Sequence, residues 1–201
     1  WTGGRLAGKR SVLHVHAGDL PEGLMPVREV QRRTGIPPDH LMVTHVNRNP
    51  DLWRQAMDFA KAGGRIDLTT MQRPETLHVH AIPAAKAIRE ALEAGVPAAR
   101  MTLSTDTGVP YPRLDTSGAM IGLYMAGPDA ILATIRELVV TGFSWGEAAA
   151  FATTRSRRPS LSTSAKRAAR APPVPATSAG VNPPRPSLAA STPPLFRSKK
   201  S

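Results

Sequence analysis

The chain contains no cysteine, which excludes a disulfide framework and any thiolate metal site; a bound metal would have to be held by His, carboxylate or a modified side chain. Aromatic residues are only 4% of the 201 residues, and the basic stretch 155–201 has none but Phe196, so it lacks the aromatic interleaving on which bases stack. There is no secretory signal and no apolar run long enough to cross a bilayer, so the expected location is cytoplasmic and no membrane partner is expected. Because the chain begins with Trp1 rather than Met, the natural N-terminus is expected upstream. Acidic residues are missing altogether from 155–201, which holds ten of the 26 Lys and Arg and leaves 16 basic against 15 acidic residues before it. The formal charge of +11 therefore belongs to the tail, and the body gives no electrostatic reason to expect nucleic acid.

What is present in the body is a repeated alternation. A β-branched, apolar strand at Ser11 to His16 ends at Gly18-Asp19, and helical spacing follows from Leu20 to Thr34 until Gly35. Leu41 to Thr44 begins a second strand. Asp51 to Ala62 reads as the clearest helix, with Asp51 at its cap, an inner stripe of Leu52, Ala56, Phe59 and Ala60, and a break at Gly63-Gly64. Ile66 to Thr69 returns to strand, 71–82 to loop, Pro83 to Ala94 to helix and Met101 to Ser104 to strand. A polar loop from Thr107 to Gly118 precedes helices at Pro128 to Val140 and from Ser144 to about Phe151. Strands alternating with helices predict an α/β fold with parallel strands buried on both faces. Four such units are half of an eight-stranded barrel or a small open sheet.

In parallel α/β folds ligands sit at the C-terminal ends of the strands, and His16, His45 and Asp106 fall there. Each histidine taken singly reads as a satisfied core residue. Three candidate ligands at the same ends of separate strands point to a metal site, because an ion needs donors converging from different parts of the scaffold. His14 is expected to point to the opposite face from His16 or to lie lower in the strand, so that the two are not a chelating pair by themselves, and the second His-Val-His, at His78 and His80, reads as surface loop. Arg48, three residues beyond His45, places a guanidinium at the mouth of the site, suited to a carboxylate; a surface salt bridge is its other reading. Asp67, mid-strand, reads as structural.

These residues carry a resemblance. His-Ala-Gly-Asp at 16 to 19, Thr-His-Val-Asn-Arg-Asn at 44 to 49, the Phe-Ala-Lys-Ala-Gly-Gly-Arg-Ile-Asp-Leu-Thr-Thr run at 59 to 70, Ala-Gly-Val-Pro at 94 to 97 and Leu-Ser-Thr-Asp at 103 to 106 resemble the isoaspartyl (β-aspartyl) dipeptidases of the amidohydrolase superfamily. The resemblance implies a (β/α)8 TIM barrel of which this chain holds the last four units, and a hydrolase with two zinc ions. It implies a metalloprotease-type reaction on a small dipeptide and a homo-oligomer in the complete protein. By the same resemblance His16 and His45 bind one metal, Asp106 binds the other and carries the proton from attacking hydroxide to leaving amine, and Arg48 holds a substrate carboxylate. The family's first-strand histidines and bridging lysine have no counterpart here, so the chain by itself would hold part of the site and be inactive. Pro110 stands where the family has a substrate-contacting serine, which leaves open an amidohydrolase acting on N-acyl amino acids or cyclic amides.

At Arg155 the composition turns to Arg, Pro, Ala, Ser and Thr, with nine of the twenty prolines in 155–201. The expected organisation is a partial barrel domain at 1–154 and a disordered basic tail at 155–201. A natural tail and translation in a shifted frame from near Thr154 both fit. A non-enzymatic reading, in which the tail binds nucleic acid or acidic membrane, would show strongly salt-dependent binding.

Overall fold

The computed structural model describes residues 1–73, 80–115 and 117–153. The expected tail and His78 lie outside the described residues. Four parallel strands, β1 (Leu13–His16), β2 (Leu41–Thr44), β3 (Arg65–Thr69) and β4 (Met101–Ser104), form one sheet in sequential order. Helices α2 (Met25–Thr34), α3 (Pro50–Lys61) and α4 (Ala84–Glu93) are the crossovers, α1 (Thr2–Leu6) precedes the sheet, and α5 (Asp129–Val140) and α6 (Trp145–Ala149) follow it. Between β4 and α5 the strands β5 (Pro110–Leu114) and β6 (Met120–Met125) pair antiparallel.

Strand order decides where the helices can lie. Parallel crossovers are right-handed almost without exception, so a sheet that never reverses its order receives every crossover helix on one face. The register separates the two faces. Val15, Val43, Ile66 and Met101 share one row, and His16, Thr44, Asp67 and Thr102 the next. The first row, with Leu41, Leu68 and Leu103, packs into a core with Leu52, Phe59, Ile88, Leu138 and Phe151 from the helices. The second row is polar, yet Thr44, Asp67 and, two residues on, Thr69 are buried, so the inner strands β2 and β3 are covered on both faces as expected; β4 is only half-buried on the polar face, and β1, at an edge, is largely exposed.

Two entries into the sheet share one device. Gly35 closes α2 in the left-handed conformation (φ 65°), and six residues later β2 begins; Gly95 (φ 84°) follows α4, and six residues later β4 begins. In each case an apolar residue, a proline and a single 3₁₀ turn fill the gap, at Pro38–His40 and Ala98–Arg100. Glycine tolerates the positive φ and proline presets the turn that follows.

Several boundaries differ from expectation. Helix α2 starts at Met25, not Leu20, because Leu20 to Leu24 form turns in which Gly23 donates back to Leu20 (3.0 Å). Asn49, not Asp51, caps α3: its Oδ1 accepts from Leu52 N at 2.9 Å. The expected connector at the N-terminus contains α1, and the expected loop at 107–118 contains β5. The cap of α6 at Ser144 is as expected, closed by a reciprocal bond with Glu147. No helix among the described residues is long and apolar enough to cross a membrane.

Candidate active site

The sheet ends where the chemistry collects. His16 is the last residue of β1, His45 follows β2, and Asp106 lies two residues beyond β4. Among the described residues, His45 (φ 66°) and Asp106 (φ 57°) are the only two other than glycine with positive φ. A left-handed residue with a Cβ costs on the order of 1–2 kcal/mol, and such strain persists only where surrounding structure over-determines it, typically at functional sites. Here the turn swings both side chains towards the polar face.

The three groups meet. His16 Nδ1 lies 3.0 Å from His45 Nε2, and His45 Nε2 lies 4.0 Å from Asp106 Oδ2. The other nitrogen of His45 is 2.8 Å from the Thr69 hydroxyl at the end of β3. The tautomer in which Nδ1–H donates to Thr69 leaves the Nε2 lone pair facing His16 and Asp106. Burial pushes the His45 imidazole down to about 4, the Asp106 carboxylate opposing and the Arg48 and His16 charges adding to the shift. His45 is therefore neutral near pH 7, the state in which imidazole ligates a cation. Tyr111 on β5 donates its hydroxyl to Asp106 Oδ2. Burial, then that bond and the carboxylate charge, raise its ionisation above that of a free phenol, so it remains a donor.

Below these groups Asp67 is buried and accepts three hydroxyls, from Thr44 (2.7 Å), Thr102 (2.6 Å) and Ser104 (2.5 Å), tying β2 and β4 to β3. The structural reading of Asp67 holds. Asn47, fully buried, accepts from Thr69 N (2.9 Å) and donates to the carbonyls of Thr69 (3.1 Å) and Ile82 (2.8 Å), fixing the loop after His45 against β3.

Arg48, close enough for its charge to act on His45 and Tyr111, lines a cleft of about 640 Å³ together with Asp19, Asn49, Asp51, Gln55 and His80. Its Nη1 is 3.6 Å from Asp19 Oδ2, and Asn49 Nδ2 donates to the other oxygen at 3.2 Å. The salt-bridge reading of Arg48 is what the structure shows, at the rim of a cleft lined also by the Asp19 and Asp51 carboxylates. His80 is exposed, as expected of a surface loop, and also lines this cleft. Of the two placements expected for His14, the structure shows the lower one, on the same face as His16: the rings lie 5.2 Å apart, because residues two apart on a strand share a face.

A cation would find two imidazole nitrogens and a carboxylate oxygen, donors that suit zinc. They fit as part of a site: among the described residues no three His, Asp or Glu side chains already stand as a cation cage. Sequence reasoning missed Thr69 and Tyr111. Thr69 was legible, since it alternates with Asp67 at a strand end; Tyr111 was not, since nothing local announced the hairpin.

No protein-family model matches the chain. Solved structures do. A β-aspartyl dipeptidase from the thermophilic keratin degrader Fervidobacterium islandicum AW-1, in complex with β-Asp-Leu dipeptide, superposes with a TM-score of 0.63 at 33% identity over 76% of this chain. The chain is similar to part of a β-aspartyl dipeptidase. A second structure of a β-aspartyl dipeptidase from the same bacterium gives a TM-score of 0.59 at 28% identity, again over 76% of the chain. The chain spans 39% and 36% of the lengths of these two dipeptidases. The family resemblance carried by the sequence motifs is thus met by structural likeness over 76% of the chain.

Proposed function

We propose that this chain is the C-terminal portion of a (β/α)8 amidohydrolase barrel that hydrolyses the isopeptide bond of β-aspartyl dipeptides with the help of zinc. The observation that carries it is the convergence of His16, His45 and Asp106 at the ends of β1, β2 and β4, two of them in left-handed backbone. Sequential strand order with all crossovers on one face is the winding of such a barrel, and the dipeptidase likeness supports the substrate class.

His16 Nδ1, His45 Nε2 and Asp106 would hold the metal, with further ligands from outside this chain. When bound, zinc supplies Lewis acidity, polarising the scissile carbonyl and lowering the pKa of water towards about 7. The remaining work belongs to the protein. Asp106 is the proton carrier: its carboxylate takes the proton of the attacking water and returns it to the leaving amine. Thr69 holds the His45 tautomer. Arg48 binds a carboxylate of the dipeptide, and Asp19 holds the guanidinium over the cleft at 3.6 Å until a bidentate anion replaces that longer contact. Pro110 has no N–H or hydroxyl to offer a substrate, and that departure motivates N-acyl amino acids or cyclic amides as a second substrate class.

The experiment is reconstitution. The chain is co-expressed with the part of the Fervidobacterium dipeptidase that it does not match, loaded with zinc, and offered β-Asp-Leu and a panel of N-acyl amino acids. Hydrolysis of β-Asp-Leu that Asp106→Ala abolishes is expected. Turnover of the N-acyl panel alone would transfer the assignment to the second class. A folded, zinc-loaded assembly inert on both would reject the proposal.

A further inference from the structure

Apart from Pro110 at its start, the β5–β6 hairpin has no part in the proposed function, and β6 is exposed along its whole length. Yet β5 sends one buried side chain to the site. The Tyr111 ring packs with Met71 and Ala126, beside Ala130 of α5, and its hydroxyl meets Asp106 Oδ2, the oxygen that faces His45 Nε2. We propose that Tyr111 is a positioning residue for Asp106, and that the hairpin exists at this site to hold it. The proposal rests on Asp106 being ligand and proton carrier.

Asp106 needs such a partner. It sits in the Thr105 to Gly108 turn, outside the ladder, in a strained backbone conformation. Among the described residues no other side chain donates a hydrogen bond to its carboxylate. Its two side-chain torsions would otherwise be held by packing alone, and a ligand or proton carrier must be held to within about 0.5 Å of its working geometry. The base of the hairpin closes immediately after it, with Gly108 N donating to Ala126 O (3.2 Å) and Ala126 N to Val109 O (3.4 Å). That closure fixes Tyr111 five residues from its target. One phenolic proton given to Oδ2 leaves Oδ1 and a lone pair of Oδ2 for a cation or a substrate proton. Partners of this kind, which orient a ligand without touching the metal, change metal affinity by about 10–100-fold when removed.

The test uses the full 201-residue chain at pH 7, with its aspartates labelled at Cγ with carbon-13, and Tyr111→Phe, which keeps the ring and removes the hydroxyl. The Asp106 Cγ resonance is expected to move or broaden, the Asp67 resonance to stay, and zinc affinity to fall about 10–100-fold, with the melting temperature near that of the parent. Tyr124→Phe, on the exposed strand of the same hairpin, is expected to change none of these. Zinc affinity unchanged within about twofold in Tyr111→Phe overturns the positioning role, whatever the resonance does. If the parent chain alone binds no zinc, the ligands outside this chain are required for binding and the Asp106 resonance alone decides the Tyr111 positioning role: a resonance unmoved in Tyr111→Phe rejects it. Should Tyr111→Phe not fold, the parent decides: a resolved Tyr111 hydroxyl proton with cross-relaxation to Asp106 supports the proposal, and its absence rejects it.

Discussion

Asp67 offers the sharpest test of how this sheet is held together. The residue is 4% exposed, and its carboxylate receives three hydroxyls, one from β2 and two from β4. A hydrogen bond to a charged group contributes about 1.5–3 kcal/mol, so a simple sum for Asp67→Ala would reach about 5–9 kcal/mol. Two corrections lower it. Thr102 and Ser104 are only half-buried, so water can satisfy their hydroxyls once the carboxylate is gone, whereas Thr44 is buried and is left without an acceptor. The carboxylate also gives up a desolvation cost when it is removed. The expected loss is about 2–4 kcal/mol, a fall of roughly 4–16 °C in melting temperature for a domain of this size. Asp67→Asn keeps the shape and one carbonyl acceptor and is expected to lose about half as much. Urea unfolding followed by circular dichroism measures both. If Asp67→Ala and Asp67→Asn lie within about 0.5 kcal/mol of the parent, the hydroxyl cluster does not tie the strands and the reasoning fails.

Two other perturbations probe separate parts of the structure. Thr69→Val removes the partner of His45 Nδ1 with little change of volume; zinc binding measured by calorimetry should weaken about 10–100-fold, and an unchanged affinity would show that Thr69 does not set the tautomer. Gly64→Ala would place a Cβ 2.1 Å from the buried ring of Phe59, an overpacking expected to cost about 1–3 kcal/mol, while Gly146→Ala, with nothing within 4 Å, should cost far less; equal melting temperatures for the two variants would contradict the packing described here.

From the sequence alone came the elements whose cause is local. The alternation of strand and helix, the four parallel strands, the Ser144 cap and the Gly35 and Gly95 breaks follow from periodicity, capping chemistry and glycine's freedom at positive φ. His16, His45 and Asp106 were legible because parallel sheets collect ligands at strand ends, a rule that needs only the strand boundaries. The tertiary structure decided what depends on residues far apart in the chain. That the helices share one face follows from strand order, which no local pattern encodes. The left-handed turns of His45 and Asp106 have no compositional mark, since neither residue is glycine. Asp67 shows its role only when Thr44 and Ser104, 23 and 37 residues away, arrive on neighbouring strands. Tyr111 is the clearest case: a tyrosine in a polar stretch between two glycines acquires meaning when the β5–β6 pairing folds its hydroxyl back onto Asp106.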